Sequence, residues 1–290
     1  MLILQGIVDG ILIGGLYALM GAGLTLVFGV MEIINFAQGI LVILGAYLSY
    51  SIVRTTHIDP FVTILITIPA MFLLGYGIYY LLIARIKRDR VVMSLLVMFA
   101  VAEVIEGVLD LTYGGTLIQI HASYVDTSVH LGAINFPLIY VYAFLLSAVL
   151  MGFVYVVLYQ TKFGRSLRAT TQNPAAAQLV GIDVHRVSAA TLGIGVGLAA
   201  AGGMLYGATS SFDAASSYDL ISRLLVIVIL GGFGSVGGAM AAAIIMVVIQ
   251  DVVAVTWSPV WGQTMFYLVL VLGLLFKPEG IFGRQIARAQ

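Results

Sequence analysis

Glu103, Glu106 and Asp110 stand at i, i+3 and i+7, so a helix through them carries three carboxylates on one face. The stretch around them, VVMSLLVMFAVAEVIEGVLDLTY (91–113), is otherwise almost wholly apolar. An ionised carboxyl at the centre of a bilayer costs at least roughly 2.5 kcal/mol, less near the interface. Three together cannot face lipid, so they turn to a protein interior or a watery path. Two readings stand. A carboxylate wall recognises an ammonium or amide that passes along it. Alternatively the face is structural, with the carboxyls paired to Arg223, bonded to Ser and Thr hydroxyls, or held protonated. Asn35 and Gln38 in MEIINFAQG (31–39) are uncharged hydrogen-bonding groups beside a helix start. They either line a path, as helix breaks do in transporters, or simply cap the helix. Asp219 and Arg223 are i, i+4 and read as a local pair. Asp9 and Asp251 are isolated and read as structural.

Several chemistries are excluded. The chain has no cysteine, so it holds neither a disulfide framework nor a thiol nucleophile. It has no G-x-x-x-x-G-K-[ST] and no H-E-x-x-H, so ATP hydrolysis and zinc-protease chemistry are not expected, and no metal site is predicted. GFGSVG (232–237) fits G-x-G-x-x-G, but no soluble βαβ unit surrounds it and Asp251 follows too closely to bind a ribose. Gly231, Gly232, Gly234 and Gly237 read instead as a helix break or a close helix approach. Gly193, Gly195, Gly197, Gly202 and Gly203 read as helix packing.

The elements that carry these residues are membrane helices. Hydrophobic residues make up 61% of the chain and charged residues 9%, against roughly 25% charged in soluble domains. Mean hydropathy is +1.11. The expected fold is an all-α polytopic membrane protein of about eight to ten helices, one domain over 1–290. The predicted segments are 3–29, 35–53, 61–84, 91–113, 138–160, 187–209, 218–231, 236–256 and 261–277. The seventh is too short to cross comfortably at about 1.5 Å per residue. Asp9 interrupts the first apolar run, which reads as a mature span and not a cleaved signal. Segments one to four and six to nine form candidate inverted halves around the fifth.

Basic residues set the orientation. Arg85, Lys87, Arg88 and Arg90, then Lys162, Arg165, Arg168 and Arg186, then Lys277, Arg284 and Arg288 fall in three places. Nine crossings put all three on one side, the cytoplasmic one by the positive-inside rule. The N-terminus and the 114–137 loop, with His121 and His130, are then outside, and Trp257 and Trp261 mark an outer boundary. If MEIINFAQG dips in without crossing, the parity changes. Net charge is +0, and no nucleic-acid partner is expected.

The loop 161–186 is the one polar stretch of its size in the second half. Asn173-Pro174 is a strong helix start and Gly181 a natural stop. A helix this short is unstable alone. It either lies on the bilayer surface or docks into a protein groove, and Ala175, Ala176, Ala177 and Gln178 suit close docking. AAAQLVG (175–181) resembles the coupling loop of bacterial ABC permeases. GLYALMGAGLTLVFGVMEIINFAQGILVILGAYL (15–48), GRSLRATTQNPAAAQLVGI (164–182), VIVILGGFGSVGGAMAAAII (226–245) and LGLLFKPEGIFGR (272–284) resemble, in order, segments of the branched-chain amino acid permease family. The resemblance covers nearly the whole chain and implies an ABC importer permease fold in the bacterial inner membrane. It further implies a second permease subunit, identical or homologous, two ATPase subunits that hold ATP–Mg, and an extracytoplasmic solute-binding protein. No cofactor is expected in this chain. The resemblance implies branched-chain amino acids as solutes, but the acidic face at 103–110 departs from the family's neutral pattern and leaves urea, short amides and basic amino acids in play beside them. The rival class is an ion-coupled secondary transporter that uses Glu103, Glu106 and Asp110 as a proton relay.

Overall fold

The computed structural model describes residues 2–86, 89–121, 127–131 and 134–277. Eleven helices follow in order: α1 (Leu2–Met31), α2 (Gln38–Thr56), α3 (Pro60–Leu81), α4 (Arg90–Tyr113), α5 (Leu138–Gln160), α6 (Lys162–Gln172), α7 (Pro174–Leu179), α8 (Val184–Thr209), α9 (Ser216–Gly231), α10 (Val236–Thr256) and α11 (Pro259–Phe276). Eight of them are long and apolar enough to cross a membrane, and α9 is not among the eight. At 16 residues, α9 is roughly 24 Å long, against the roughly 30 Å of a hydrocarbon core.

α1 and α8 form the buried centre. α10 runs antiparallel along α1: Gly6, Gly10 and Gly14 meet Asp251, Val248 and Ile244 in turn. α3 runs antiparallel along α8, with Gly193 against Phe72 and Gly197 against Ile68. Helices in lipid gain little from hydrophobic burial, so they associate by close backbone packing. Gly10 illustrates the constraint, because a Cβ there would lie 2.6 Å from the Cα of Val248. At Gly203 a Cβ would overlap the carbonyl oxygen of Val42.

The contacts keep their pattern when α1–α4 are exchanged with α8–α11. α1 on α10 becomes α8 on α3, α2 on α3 becomes α9 on α10, and α2 on α4 becomes α9 on α11. Each helix runs opposite to its counterpart. Both halves break at the same place, after their first helix. α2 and α9 therefore begin inside the bundle and side by side: the carbonyl of Ser217 lies against Gly39. α2 then runs to one end and α9 to the other.

Arg85 follows α3 at the end where Tyr79 meets His185 at 3.0 Å. The α6–α7 segment opens from that end, and Lys277 closes α11 there, where Gly273 packs on Leu230. This is the basic end. Lys87, Arg88, Arg284 and Arg288 lie outside the described residues. The opposite end, the one that the basic residues predict to be outer, holds the N-terminal turn of α1 and the 118–120 strand-like segment, whose Ile118 pairs with Phe212. Trp257 and Trp261 are exposed there, 6.1 Å apart.

Two details differ from the expected elements. The 114–137 loop holds a small antiparallel hairpin, β1 (Ser128–Leu131) and β2 (Ile134–Pro137), the one sheet among the described residues. It is tied to α1 through Gln5, which donates to the carbonyl of Asn135 at 2.7 Å. The 161–186 loop holds two helices and not one. α6 buries Gly164, Leu167 and Thr170 at i, i+3 and i+6, and Thr161 caps it by accepting from the amide of Gly164.

Candidate functional site

Two surfaces carry the predicted residues, and both are set by helix ends. The first is α7. Asn173 ends α6 and begins α7, and its Oδ1 accepts from the amide of Ala176 at 3.0 Å. Pro174 occupies the first turn, where no amide is missed. Gly181, at φ +84°, takes the left-handed conformation that lets the chain turn back. The amide of Ile182 then returns to the carbonyl of Ala177 at 3.0 Å. Ala177 is buried and anchors the unit, whereas Ala175, Ala176 and Gln178 are exposed. The next two residues are also exposed and apolar: Leu179 is 89% accessible and Val180 76%. Sequence reasoning did not select this pair. The signal was available, since two aliphatic residues sit directly before a helix-stopping glycine.

The second surface is a stripe along α4. Phe99, Glu103, Glu106, Asp110 and Tyr113 recur at steps of four, three, four and three. The stripe meets the two broken helices. Phe36 of the first break packs on Phe99 with ring centroids 5.7 Å apart. The Tyr218 hydroxyl donates to Glu103 at 2.9 Å, and the Ser217 hydroxyl to Glu106 at 3.4 Å. Both donors lie in the first turn of α9, whose backbone end favours negative charge. Tyr113 stacks on Tyr47 of α2 at 4.3 Å. Asp213 caps α9 by accepting from the amide and hydroxyl of Ser216. Tyr218, Ser217, Asp213 and Tyr47 were not selected from the sequence, because only the fold brings the second break against α4.

The carboxylates remain on the surface: Glu103 and Asp110 are exposed and Glu106 is half-buried. Arg223, the cation offered above as their partner, does not reach them. It pairs with Asp219 at 2.8 Å, donates to Gln250 at 2.8 Å and lies 5.8 Å from the Phe266 ring centre. Among the described residues no basic side chain pairs with the α4 carboxylates. Glu103 and Glu106 bond hydroxyls instead.

Asn35 and Gln38 sit beside this surface but beneath it. Both are fully buried. Asn35 donates to the Gln38 side chain at 2.9 Å, and Gln38 reaches the carbonyls of Met20 and Gly195 at 3.5 and 3.4 Å. They brace the break against α1 and α8, and neither side chain caps α2.

The glycine motif forms the tight turn between α9 and α10. Gly232 and Gly234 have φ of +84° and +78°. Gly231 packs against Ala239, and Gly234 against Gly29. A side chain at Gly237 would meet nothing within 4 Å, so its identity is not fixed by packing. The turn borders a cavity of about 550 Å³ at the basic end, with Thr25, Arg168 and Gln172 on its other walls. No cluster of metal-ligating side chains occurs among the described residues.

Residues 6–274 match the family described as branched-chain amino acid transport system / permease component. The chain is 28% identical to the probable branched-chain amino acid transport permease protein LivH of Methanocaldococcus jannaschii, over 97% of this chain and 92% of that protein. It is 25% identical to the high-affinity branched-chain amino acid transport system permease protein LivH of Salmonella typhimurium, over 97% and 96%. Identity to the corresponding permease BraD of Pseudomonas aeruginosa is 24%, again over 97% and 96%. No solved structure matches the chain. With the match covering nearly every helix described above, this chain belongs to the family of permease components of branched-chain amino acid transport systems.

Proposed function

We propose that this permease works in an ATP-driven importer and that α7 is where a separate ATPase pushes on it. One observation carries the reading: a six-residue helix, unable to persist alone, is held by Asn173 and Ala177 while it presents Leu179 and Val180 to solvent. Such a knob fits a groove on a soluble subunit better than it fits water. The clustering of Arg85, the α6–α7 segment and Lys277 at one end supports a cytoplasmic placement of that end, by the positive-inside rule. Two ATPase subunits would hold ATP–Mg, a second permease chain would complete the path, and an extracytoplasmic binding protein would deliver solute at the outer end. Relatives of both LivH and LivM type occur in Methanocaldococcus jannaschii, which supports a second permease. The ATPase biases the membrane states only if it binds them with different affinity.

The relatives' names point to branched-chain amino acids as solutes. The α4 stripe favours a second possibility, a solute with cationic or strongly hydrogen-bond-donating character such as urea, a short amide or a basic amino acid. Family membership does not favour the ion-coupled rival. Copurification tests the proposal: an ATPase and a binding protein should accompany the permease, and the reconstituted complex should import solute only with ATP. Uptake by the lone chain in liposomes under a pH gradient would refute it. Binding of amino acids, urea and amides to the associated binding protein would then name the solute.

A further inference from the structure

Glu103 is exposed halfway along a helix of membrane-spanning length and Asp110 nearer its C-terminal end, and Tyr218 of α9 is exposed beside Glu103. The other faces differ. α3 exposes Leu65 and Leu73, and α5 exposes Val149 and Phe153. Lipid can cover the aliphatic and aromatic faces but cannot satisfy carboxylates and a phenol at that depth. Within the chain, Glu103 and Glu106 find hydroxyls, and the α4 carboxylates pair with no cation among the described residues. The buried Tyr47 hydroxyl points the same way: it has no hydrogen-bond partner and lies within electrostatic reach of Asp110 and Asp213. The polar stripe runs from Tyr113 at the outer end to Glu103, and below that the Phe36–Phe99 contact closes it. A stripe open along one side is half of a path.

We infer that the α4 stripe, with the first turn of α9, is the seam where this chain meets a second permease chain of the same fold, with a water-filled path between them. The occupant is another permease and not a soluble protein, because the face lies within the membrane-spanning part of the helix. A path between the chains also keeps like carboxylates of two related subunits apart. The inference rests on the proposed importer, but its test is separate. Absence of an ATPase would remove the importer, whereas the adducts below read the seam alone.

The chain has no cysteine, so single thiols can be placed without background. A Cβ at Gly107 on α4, Gly77 on α3 or Gly152 on α5 meets nothing within 4 Å, so each accepts a probe. Gly107→Cys, Gly77→Cys and Gly152→Cys are to be labelled with benzophenone maleimide in the purified complex. The complex is held in vesicles of phosphatidylethanolamine and phosphatidylglycerol and illuminated. The expected result is a covalent adduct of two permease chains from position 107 and lipid adducts from 77 and 152. Lipid adducts alone from position 107, or permease adducts from 77 or 152 in its place, would overturn the seam. If Gly107→Cys does not assemble, Leu96→Cys, eleven residues (about three turns) earlier on the same helix, is read in the same way.

Discussion

The α1–α10 and α2–α8 contacts and the surfaces of α4 and of α7 divide the chain's labour. In the first, backbone lies on backbone, and Gly10, Gly45 and Gly203 leave no room for a methyl group. In the second, Gly107 has open space, α4 buries only Ser94, Met98, Ala102 and Leu109, and α7 buries Ala177. Close packing makes a frame that transmits displacement without absorbing it. Open surfaces are where partners and solute are proposed to act. The same residue type, glycine, therefore has opposite meaning on the two sides of this division.

Substitutions should separate the two regions, beginning with the largest effect. Gly203→Leu drives a side chain into α2, and overpacking costs about 1–3 kcal/mol or more. Loss of monodisperse protein in detergent chromatography is expected, while retention of a wild-type profile would break the comparison. Glu103→Gln combined with Glu106→Gln should leave that profile intact but weaken handling of a cationic or amide solute. Hydrogen bonds to a charged group are worth about 1.5–3 kcal/mol, so transport KM should rise about tenfold or more. An unchanged KM in a transport assay would return the stripe to a structural role. Asn173→Ala removes the cap of α7, worth about 1 kcal/mol, and should lower solute-stimulated ATP hydrolysis in part without changing melting of the bundle. Gly107→Ala should have the smallest effect, neutral or stabilising by about 0.5–1 kcal/mol, as thermal unfolding will show.

Much of the frame was readable because lipid permits few choices. Apolar runs and basic clusters located the helices to within a few residues, and α9 was short in the sequence as it is in the fold. The α7 cap and stop were local chemistry, Asn173-Pro174 and Gly181, and needed no tertiary knowledge. What escaped was long-range. Tyr218 is 115 residues from Glu103, and nothing in either neighbourhood announces their bond. Asn35 and Gln38 carry the polarity of path residues, yet their burial follows from α1 and α8 meeting behind them. α6 was hidden by Gly164, Thr170 and Thr171, weak helix formers held in place by packing.

The proposed coupling role of α7 is separable from the frame. In Ala177→Pro the ring removes the amide that donates to the carbonyl of Asn173 at 3.0 Å, which should unwind α7 and spare the spans. The decisive measurement is solute-stimulated ATP hydrolysis by the reconstituted complex carrying this change. If α7 couples the ATPase to the spans, the permease stays folded and inserted and stimulation is lost. Stimulation equal to that of the unmodified complex would contradict it.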